Sequence, residues 1–222
     1  MNRTIIQTGD GSHTLYVQDL GERYHSIHGA IQESVHVFIQ SGLRQHEPTE
    51  DVLNILEIGL GTGLNVLLTL IESEKSGFSI KYTAIEAFPL EKELTSQLNY
   101  TGLLKADEYQ PAFELLHSAE WNKAICISER FELLKLHITL ETAMFGPQFQ
   151  IIYFDAFGPR VQPEMWTDGV FMKLYSSMLQ NGCLVTYCAK GEVKRTLKRA
   201  GFTVETIQGP PGKREMVRAW KR

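Results

Sequence analysis

Apolar and polar positions along this chain switch repeatedly between a two-residue and a 3.6-residue period. His13 to Val17 alternates and reads as a strand, with a partner around Glu22 to Ser26 across the Leu20-Gly21 turn. Ala30 to Gly42 places Ile31, Val35, Phe38 and Ile39 on one helical face, with Gly42 as the stop. A strand opening at Leu53, a helix from about Leu64, a strand over Ser79 to Glu86 and a helix near Pro89-Leu90-Glu91 follow. The stretch from Thr101 to Ala124 is poorly patterned, with a helix expected around Pro111 to Leu116. Beyond it the pattern predicts strands over Phe131–Ile138, Phe149–Phe154, Cys183–Cys188, Phe202–Ile207 and Glu215–Trp220. Helices are expected over Glu164–Leu179 and Val193–Ala200. Strands alternating with helices predict an α/β fold, a mostly parallel seven-stranded sheet covered on both faces, with a short N-terminal β/α extension.

Candidate chemistry begins where the Leu53 strand empties into Glu57-Ile58-Gly59-Leu60-Gly61-Thr62-Gly63-Leu64-Asn65. Alternate glycines let the backbone approach a ligand closely, and the helix start that follows offers unpaired N–H groups and partial positive charge. The spacing is not the G-x-G-x-x-G of dinucleotide folds, and no Lys follows Gly63 as a phosphate loop requires. The E-x-G-x-G-x-G pattern is similar to the first motif of class I S-adenosylmethionine methyltransferases. Glu86 ends the next strand, 27 positions after Gly59, compatible with a carboxylate that accepts ribose hydroxyls. The alternatives are a tight α/β turn without ligand and an exposed strand-end Glu.

Composition narrows the classes. With 222 residues and 43% hydrophobic content, one domain with a sizeable core is the default. We divide it into an N-terminal extension over residues 1–50 and a main domain over 51–222. No run approaches the roughly 20 apolar residues of a membrane span, and the N-terminus lacks the apolar core of a secretion signal, so a cytoplasmic location without membrane partner is expected. Cys126, Cys183 and Cys188 form no C-x-x-C pair; we read all three as buried, reduced thiols in strand-like runs, and expect no metal. The net charge of −4 hides an asymmetry. Residues 190–222 hold ten Lys or Arg and three Glu, +7, leaving −11 on the rest. A basic face fit for phosphates is one reading, an ordinary solvated helix the other.

Ligands of such sheets bind beyond the carboxyl ends of the strands. Asp155 ends the apolar run Ile151-Ile152-Tyr153-Phe154 on that edge, followed by Ala156-Phe157-Gly158-Pro159 and Pro163-Glu164-Met165-Trp166. A carboxylate there, beside Phe157 and Trp166, suits an amine substrate and a stacked planar base. The alternative has Asp155 capping a helix and Trp166 in the core.

At this point several runs together carry a resemblance. They are Glu57 to Asn65, Ile85-Glu86-Ala87-Phe88-Pro89-Leu90, the Phe154–Pro159 and Pro163–Thr167 block, Ala200-Gly201-Phe202 and Gly212-Lys213-Arg214-Glu215-Met216, with Tyr24-x-Ser26, Glu33-Ser34 and Val37-Phe38 upstream. Together they resemble the methyltransferase half of the bifunctional tRNA wobble-uridine enzymes of the MnmC family, here in stand-alone form because no second glycine-rich motif follows. The resemblance implies a class I, Rossmann-like methyltransferase fold. It also implies that S-adenosylmethionine methylates the amine of 5-aminomethyl-(2-thio)uridine in tRNA, giving 5-methylaminomethyl-(2-thio)uridine and S-adenosylhomocysteine, after a separate enzyme has installed the aminomethyl group.

Cofactor residues are then Glu57, Gly59, Gly61, Gly63, Asn65, Glu86, Ala87 and Phe88, and the catalytic candidate is Asp155. Tyr24, Ser26, Glu33, Phe157, Pro159 and Trp166 belong to the substrate side, with Arg160, Lys190, Lys194, Arg195, Lys213 and Arg214 as phosphate candidates. Where related enzymes place an Asp for the adenine amino group, this chain reads His137-Ile138-Thr139-Leu140-Glu141, so Glu141 or a backbone carbonyl must serve. A small-molecule amine methyltransferase or aminopropyltransferase of the polyamine-synthase type is the competing reading.

Overall fold

Strand Leu53–Ile58 (β4) lies at the centre of the molecule because both its faces are apolar: Ile55 packs into one core and Leu56 and Ile58 into the other. A strand buried on both sides suits a parallel sheet covered by helices. The computed structural model describes residues 1–47 and 52–222, so the expected boundary between 50 and 51 lies outside the described residues. Around β4 are β5 (Ile80–Ile85), β6 (Ala124–Ser128), β7 (Phe131–Leu136), β8 (Phe149–Phe154), β9 (Met178–Thr186), β10 (Thr203–Gln208) and β11 (Glu215–Trp220). Their order is β10-β11-β9-β8-β4-β5-β7-β6. The inner five are parallel, while β6, β10 and β11 are antiparallel to their neighbours.

The sheet thus has eight strands where the pattern predicted seven. The addition is β6, just past the poorly patterned stretch: its short apolar run Ala124 to Ile127 is strand-like around Cys126 but lies outside the strands the pattern predicts, and at the sheet edge it stays partly exposed. Cys126 sits on it and is exposed, correcting its reading as buried, whereas Cys183 and Cys188 are buried and reduced. Cys188 lies just past the end of β9. The β9 strand begins five residues earlier than expected. Gln180-Asn181-Gly182 reads as a turn but is accommodated by a register shift against β8, with Asn181 at φ 64°.

Two cores flank the sheet. On one side lie α2 (Leu64–Ser76) and α5 (Gln110–Ser118) with the N-terminal helix; on the other lie α6 (Asp168–Ser177) and α7 (Gly191–Arg199). The N-terminal helix is α-helical only over Ala30–Ser34 (α1) and continues as a π-helix over Val35–Gln40, burying Val37, Phe38 and Ile39 in succession. Near Pro89 the expected helix is a single turn, Lys92–Thr95 (α3), followed by Tyr100–Leu103 (α4). The helix expected over Glu164–Leu179 splits into a 3-10 turn, Pro163–Trp166, and α6, where the Thr167 hydroxyl caps the Val170 N–H at 3.4 Å.

The N-terminal residues build their own antiparallel sheet from β1 (Arg3–Gln7), β2 (His13–Val17) and β3 (Glu22–Arg23). Of these, β1 had no expectation. Arg3 anchors this sheet across the ligand edge of the main one, donating to the carbonyls of Phe88 (2.8 Å) and Pro89 (3.2 Å). No helix among the described residues is long and apolar enough to cross a membrane.

Candidate active site

The carboxyl ends of β4, β5 and β8 open into a cavity of about 860 Å3, roofed by residues 22–27 of the N-terminal segment. Its floor is the glycine turn. Gly59 (φ 91°) passes so close to the Asp155 loop that a Cβ would lie 2.8 Å from the Asp155 carbonyl, and Gly61 (φ 49°) lies beneath the Tyr24 ring, 3.1 Å from where its own Cβ would stand. Only glycine satisfies both backbone conformation and clearance here. Gly63 (φ 72°) is the N-cap of α2, below the cavity rather than lining it.

Glu86, just past β5, ties the turn in place. One carboxylate oxygen accepts the Gly61 N–H (3.0 Å) and the other the Phe88 N–H (2.8 Å). Ala87 and the exposed Phe88 continue the wall. Ile138 to Glu141 line the cavity as expected for an adenine end, but the carbonyls of Leu140 and Ala143 each already accept a hydrogen bond from Lys173 (3.0 and 3.1 Å). The Thr139 carbonyl is occupied as well, accepting the Thr142 and Ala143 N–H groups (3.2 and 3.1 Å) and the Thr142 hydroxyl (3.1 Å), so the Glu141 side chain is the freer acceptor of that turn.

Beneath the turn, Asn65 joins two carboxyl groups. Its Nδ2 donates to Glu57 at 2.8 Å and to Asp155 at 2.9 Å. Strand alternation explains the meeting, because Glu57 and Asp155 project on the face where α2 packs, as Ile55 and Tyr153 do. Glu57 is wholly buried and does not line the cavity; burial raises its carboxyl well above the usual range despite the Asn65 bond, and the Asp155 charge adds to this. A protonated Glu57 supports the floor more readily than it contacts an ammonium.

Asp155 does line the cavity. Desolvation, then the nearby Glu33 carboxylate, push it up to about 7, against the lowering effects of Asn65 and Lys213. A carboxyl that titrates near neutrality can take a proton from a bound amine. Beside it, Tyr24 and Phe157 pack edge to face with ring centroids 5.2 Å apart, and the Tyr187 hydroxyl donates to the Ala156 carbonyl (2.9 Å). Burial raises the Tyr24 hydroxyl to about 12, so the ring stays neutral. Tyr187 had no expectation, since nothing in its sequence neighbourhood marks it.

Other substrate-side residues separate in space. Trp166 is buried under the loop, its ring nitrogen donating to the Phe157 carbonyl (2.8 Å) and its ring packed on Phe154. It holds Phe157 and does not line the cavity, and neither does Pro159. Ser26 and Glu33 do: the Ser26 N–H donates to Glu33 at 2.7 Å. Of the phosphate candidates, Lys213 turns inward to Glu33 (2.6 Å). Lys194 pairs with Glu215 (3.4 Å), Arg195 with Glu192 (2.6 Å) and Arg160 with Glu22. Arg214 lies 3.9 Å from Glu215 but is 93% exposed, and Lys190 is exposed. Surface pairs of this kind contribute about 0–1 kcal/mol each and yield readily to a stronger anion.

Comparison with known proteins bears on this site. A family model described as S-adenosyl-L-methionine-dependent methyltransferase matches residues 116–222. The tRNA 5-methylaminomethyl-2-thiouridine biosynthesis bifunctional protein MnmC of Burkholderia pseudomallei is 29% identical over 96% of this chain, and that of Magnetococcus marinus 30% over 98%. The chain spans about a third of their length, 35% and 34% respectively. The crystal structure of MNMC2 from Aquifex aeolicus superposes with a TM-score of 0.82 over the whole chain and 70% of its own, at 24% identity. A probable spermidine synthase from Corynebacterium glutamicum, 13% identical with a TM-score of 0.56 over 99% of this chain and 77% of its own, shares the fold alone. Residues 116–222 thus match the S-adenosyl-L-methionine-dependent methyltransferase family model, and the eight-stranded sheet with its glycine turn has the class I methyltransferase-like fold that the Aquifex aeolicus structure shares.

Proposed function

We propose that the protein N-methylates the aminomethyl group of 5-aminomethyl-(2-thio)uridine at the tRNA wobble position, giving 5-methylaminomethyl-(2-thio)uridine. The observation that carries this reading is the coincidence of two things. The chain is similar along nearly its whole length to the MnmC relatives, and Asp155 lines a cavity that Tyr24 and Phe157 also wall.

The residues fit S-adenosylmethionine. Gly59 and Gly61 carry the backbone along the cavity floor at positive φ where a side chain would strike Asp155 or Tyr24, Glu86 keeps lone pairs for ribose hydroxyls, and Ile138 to Glu141 offer an adenine end. When bound, this cofactor supplies an electrophilic methyl group on a sulfonium.

The protein's contribution is then alignment, exclusion of water and management of one proton. An alkylammonium has no lone pair, so Asp155 must orient the amine and take its proton, and its raised affinity for protons suits that task. Tyr24 and Phe157 close the cavity against water and offer faces to a base turned out of the anticodon stack. The exposed cations of residues 190–222 serve the tRNA backbone.

Incubation with methyl-labelled cofactor and tRNA lacking only this methyl group tests the reading. Label recovered in 5-methylaminomethyl-(2-thio)uridine supports it. Label transferred to a polyamine and not to tRNA favours the small-molecule alternative and overturns it.

A further inference from the structure

Lys213 sits in the turn joining β10 and β11, and a phosphate-binding lysine there should point outward as its neighbour Arg214 does. It points in. Gly212 is pressed against His28, where a Cβ would come within 2.0 Å of the imidazole, and the Lys213 N–H donates to the Pro210 carbonyl (2.9 Å), fixing the turn. The side chain then runs over the Tyr187 ring, with Nζ 3.9 Å from the centroid, and ends 2.6 Å from a Glu33 oxygen in the same cavity as Asp155. Both partners are themselves held, Glu33 by the Ser26 N–H and Tyr187 by its bond to the Ala156 carbonyl. The ammonium therefore has one location, and it is inside the reaction cavity.

That location poses a chemical question. Asp155 and Glu33 both face the bound amine, and two carboxylates stabilise an alkylammonium, the form that cannot attack a methyl group. A fixed cation offsets one of them. We propose that Lys213, locked between Glu33 and Tyr187, sets the charge of the cavity so that the amine beside Asp155 is held in its neutral, nucleophilic form; this rests on the amine-methylating reading above. The same charge disfavours the methylated product while it remains protonated, and so promotes its release. Lys213 is a positioning residue in this scheme, because it acts on the amine and on Asp155 through its field. The groups that face it are Glu33 and His25 from the N-terminal segment, Asp155 after β8, and Tyr187 and Cys188 after β9. Burial keeps His25 neutral, its imidazole lowered to about 4, so Glu33 and Asp155 are the charges Lys213 balances.

The test is the pH dependence of single-turnover methyl transfer at saturating cofactor and tRNA, for wild type, Lys213→Met, Lys213→Arg and Glu33→Gln. With the cation gone, the rising limb of Lys213→Met should move to higher pH by about one unit, whether the limb reports the amine or Asp155. Lys213→Arg should restore it, and Glu33→Gln, which leaves the cation unopposed, should move it the other way. A rising limb unmoved in Lys213→Met and Glu33→Gln, at whatever rate, overturns the inference. So does a Lys213→Met variant whose only change is weaker, less salt-dependent tRNA binding. Failure of the wild type to methylate tRNA overturns the functional reading itself, which separates the two.

Discussion

Replacing Asp155 by Asn should make the protein more stable and less active, and the stability gain should depend on pH. Asp155 takes up its proton near pH 7 in the fold, against an ordinary value of 3.8 when exposed. A raised folded value means that the folded chain binds more protons than the unfolded one between these limits. Stability from this group is thus fully present below about pH 4 and is lost as pH rises through about 7. Asn is neutral throughout and keeps an oxygen to accept the Asn65 bond. At pH 5 wild type has lost about one unit of this linkage, and by pH 8 about three, at roughly 1.36 kcal/mol per unit. The advantage of Asp155→Asn should therefore grow by about 2–3 kcal/mol between pH 5 and pH 8. Urea unfolding of both proteins at the two pH values measures it, while single-turnover methylation of tRNA should fall at least about a hundredfold. An advantage equal at both pH values would refute the reasoning, since it would mean that the carboxyl is solvated and titrates like any surface aspartate.

Three further outcomes are expected. Gly61→Val puts side-chain atoms against the Tyr24 ring at a φ of 49° and should abolish cofactor binding in calorimetry while circular dichroism still reports a folded chain. Asn65→Leu removes the donor shared by Glu57 and Asp155 and should cost about 1–3 kcal/mol by urea unfolding, together with most of the methyl transfer. Replacing Lys190, Lys194, Arg195 and Arg214 by Ala should weaken tRNA binding and reduce its log–log salt slope by up to about 0.7–0.9 per lost phosphate contact, leaving cofactor affinity unchanged; an unaltered slope would make this a solvated face.

How much of this was legible in the sequence depends on whether a residue's role is local. The strand Phe149–Phe154 and the closing strand Glu215–Trp220 fall where their apolar patterns put them, and the glycine turn with Glu86 declared itself by spacing. Strand β6 was legible only as a strand-like run around Cys126, because five residues with a bulge against β7 at a partly exposed edge give too short a pattern to count as a strand. The start of β9 was hidden by Gln180-Asn181-Gly182, a turn-like run that bulges out of register with β8 inside the strand, with Asn181 at φ 64°. Trp166 reads as a stacking platform from its neighbours in sequence, yet the hydrogen bond to Phe157 makes it a support. Lys213 was legible as a cation but not as an inward one. Its direction is set by Glu33, 180 positions earlier, and by His28 beneath Gly212, and no local pattern encodes contacts at that separation.

Hydrogen bonding and access to the cavity together separate the three carboxyl groups of this site more sharply than their positions in sequence do. Glu86 accepts backbone N–H groups on both oxygens, so its orientation is fixed and its remaining lone pairs have a defined direction, as a ligand that must be held the same way each time requires. Glu57 has one donor and no access to the cavity; with burial raising it, its neutral form supports the floor. Asp155 shares that same donor, stands in the cavity and has Lys213 and Glu33 acting on it with opposite sign. With one donor it is no more satisfied than Glu57, but it alone of the two faces the cavity, and it takes up its proton at about 7. A carboxyl fixed by two backbone donors resists change of state; one with a single donor exchanges a proton with a substrate only where the cavity reaches it, as it does Asp155 and not Glu57. The same criterion places Tyr24 and Phe157, neutral rings without a charge to lose, as walls of the cavity and leaves the proton transfer to Asp155.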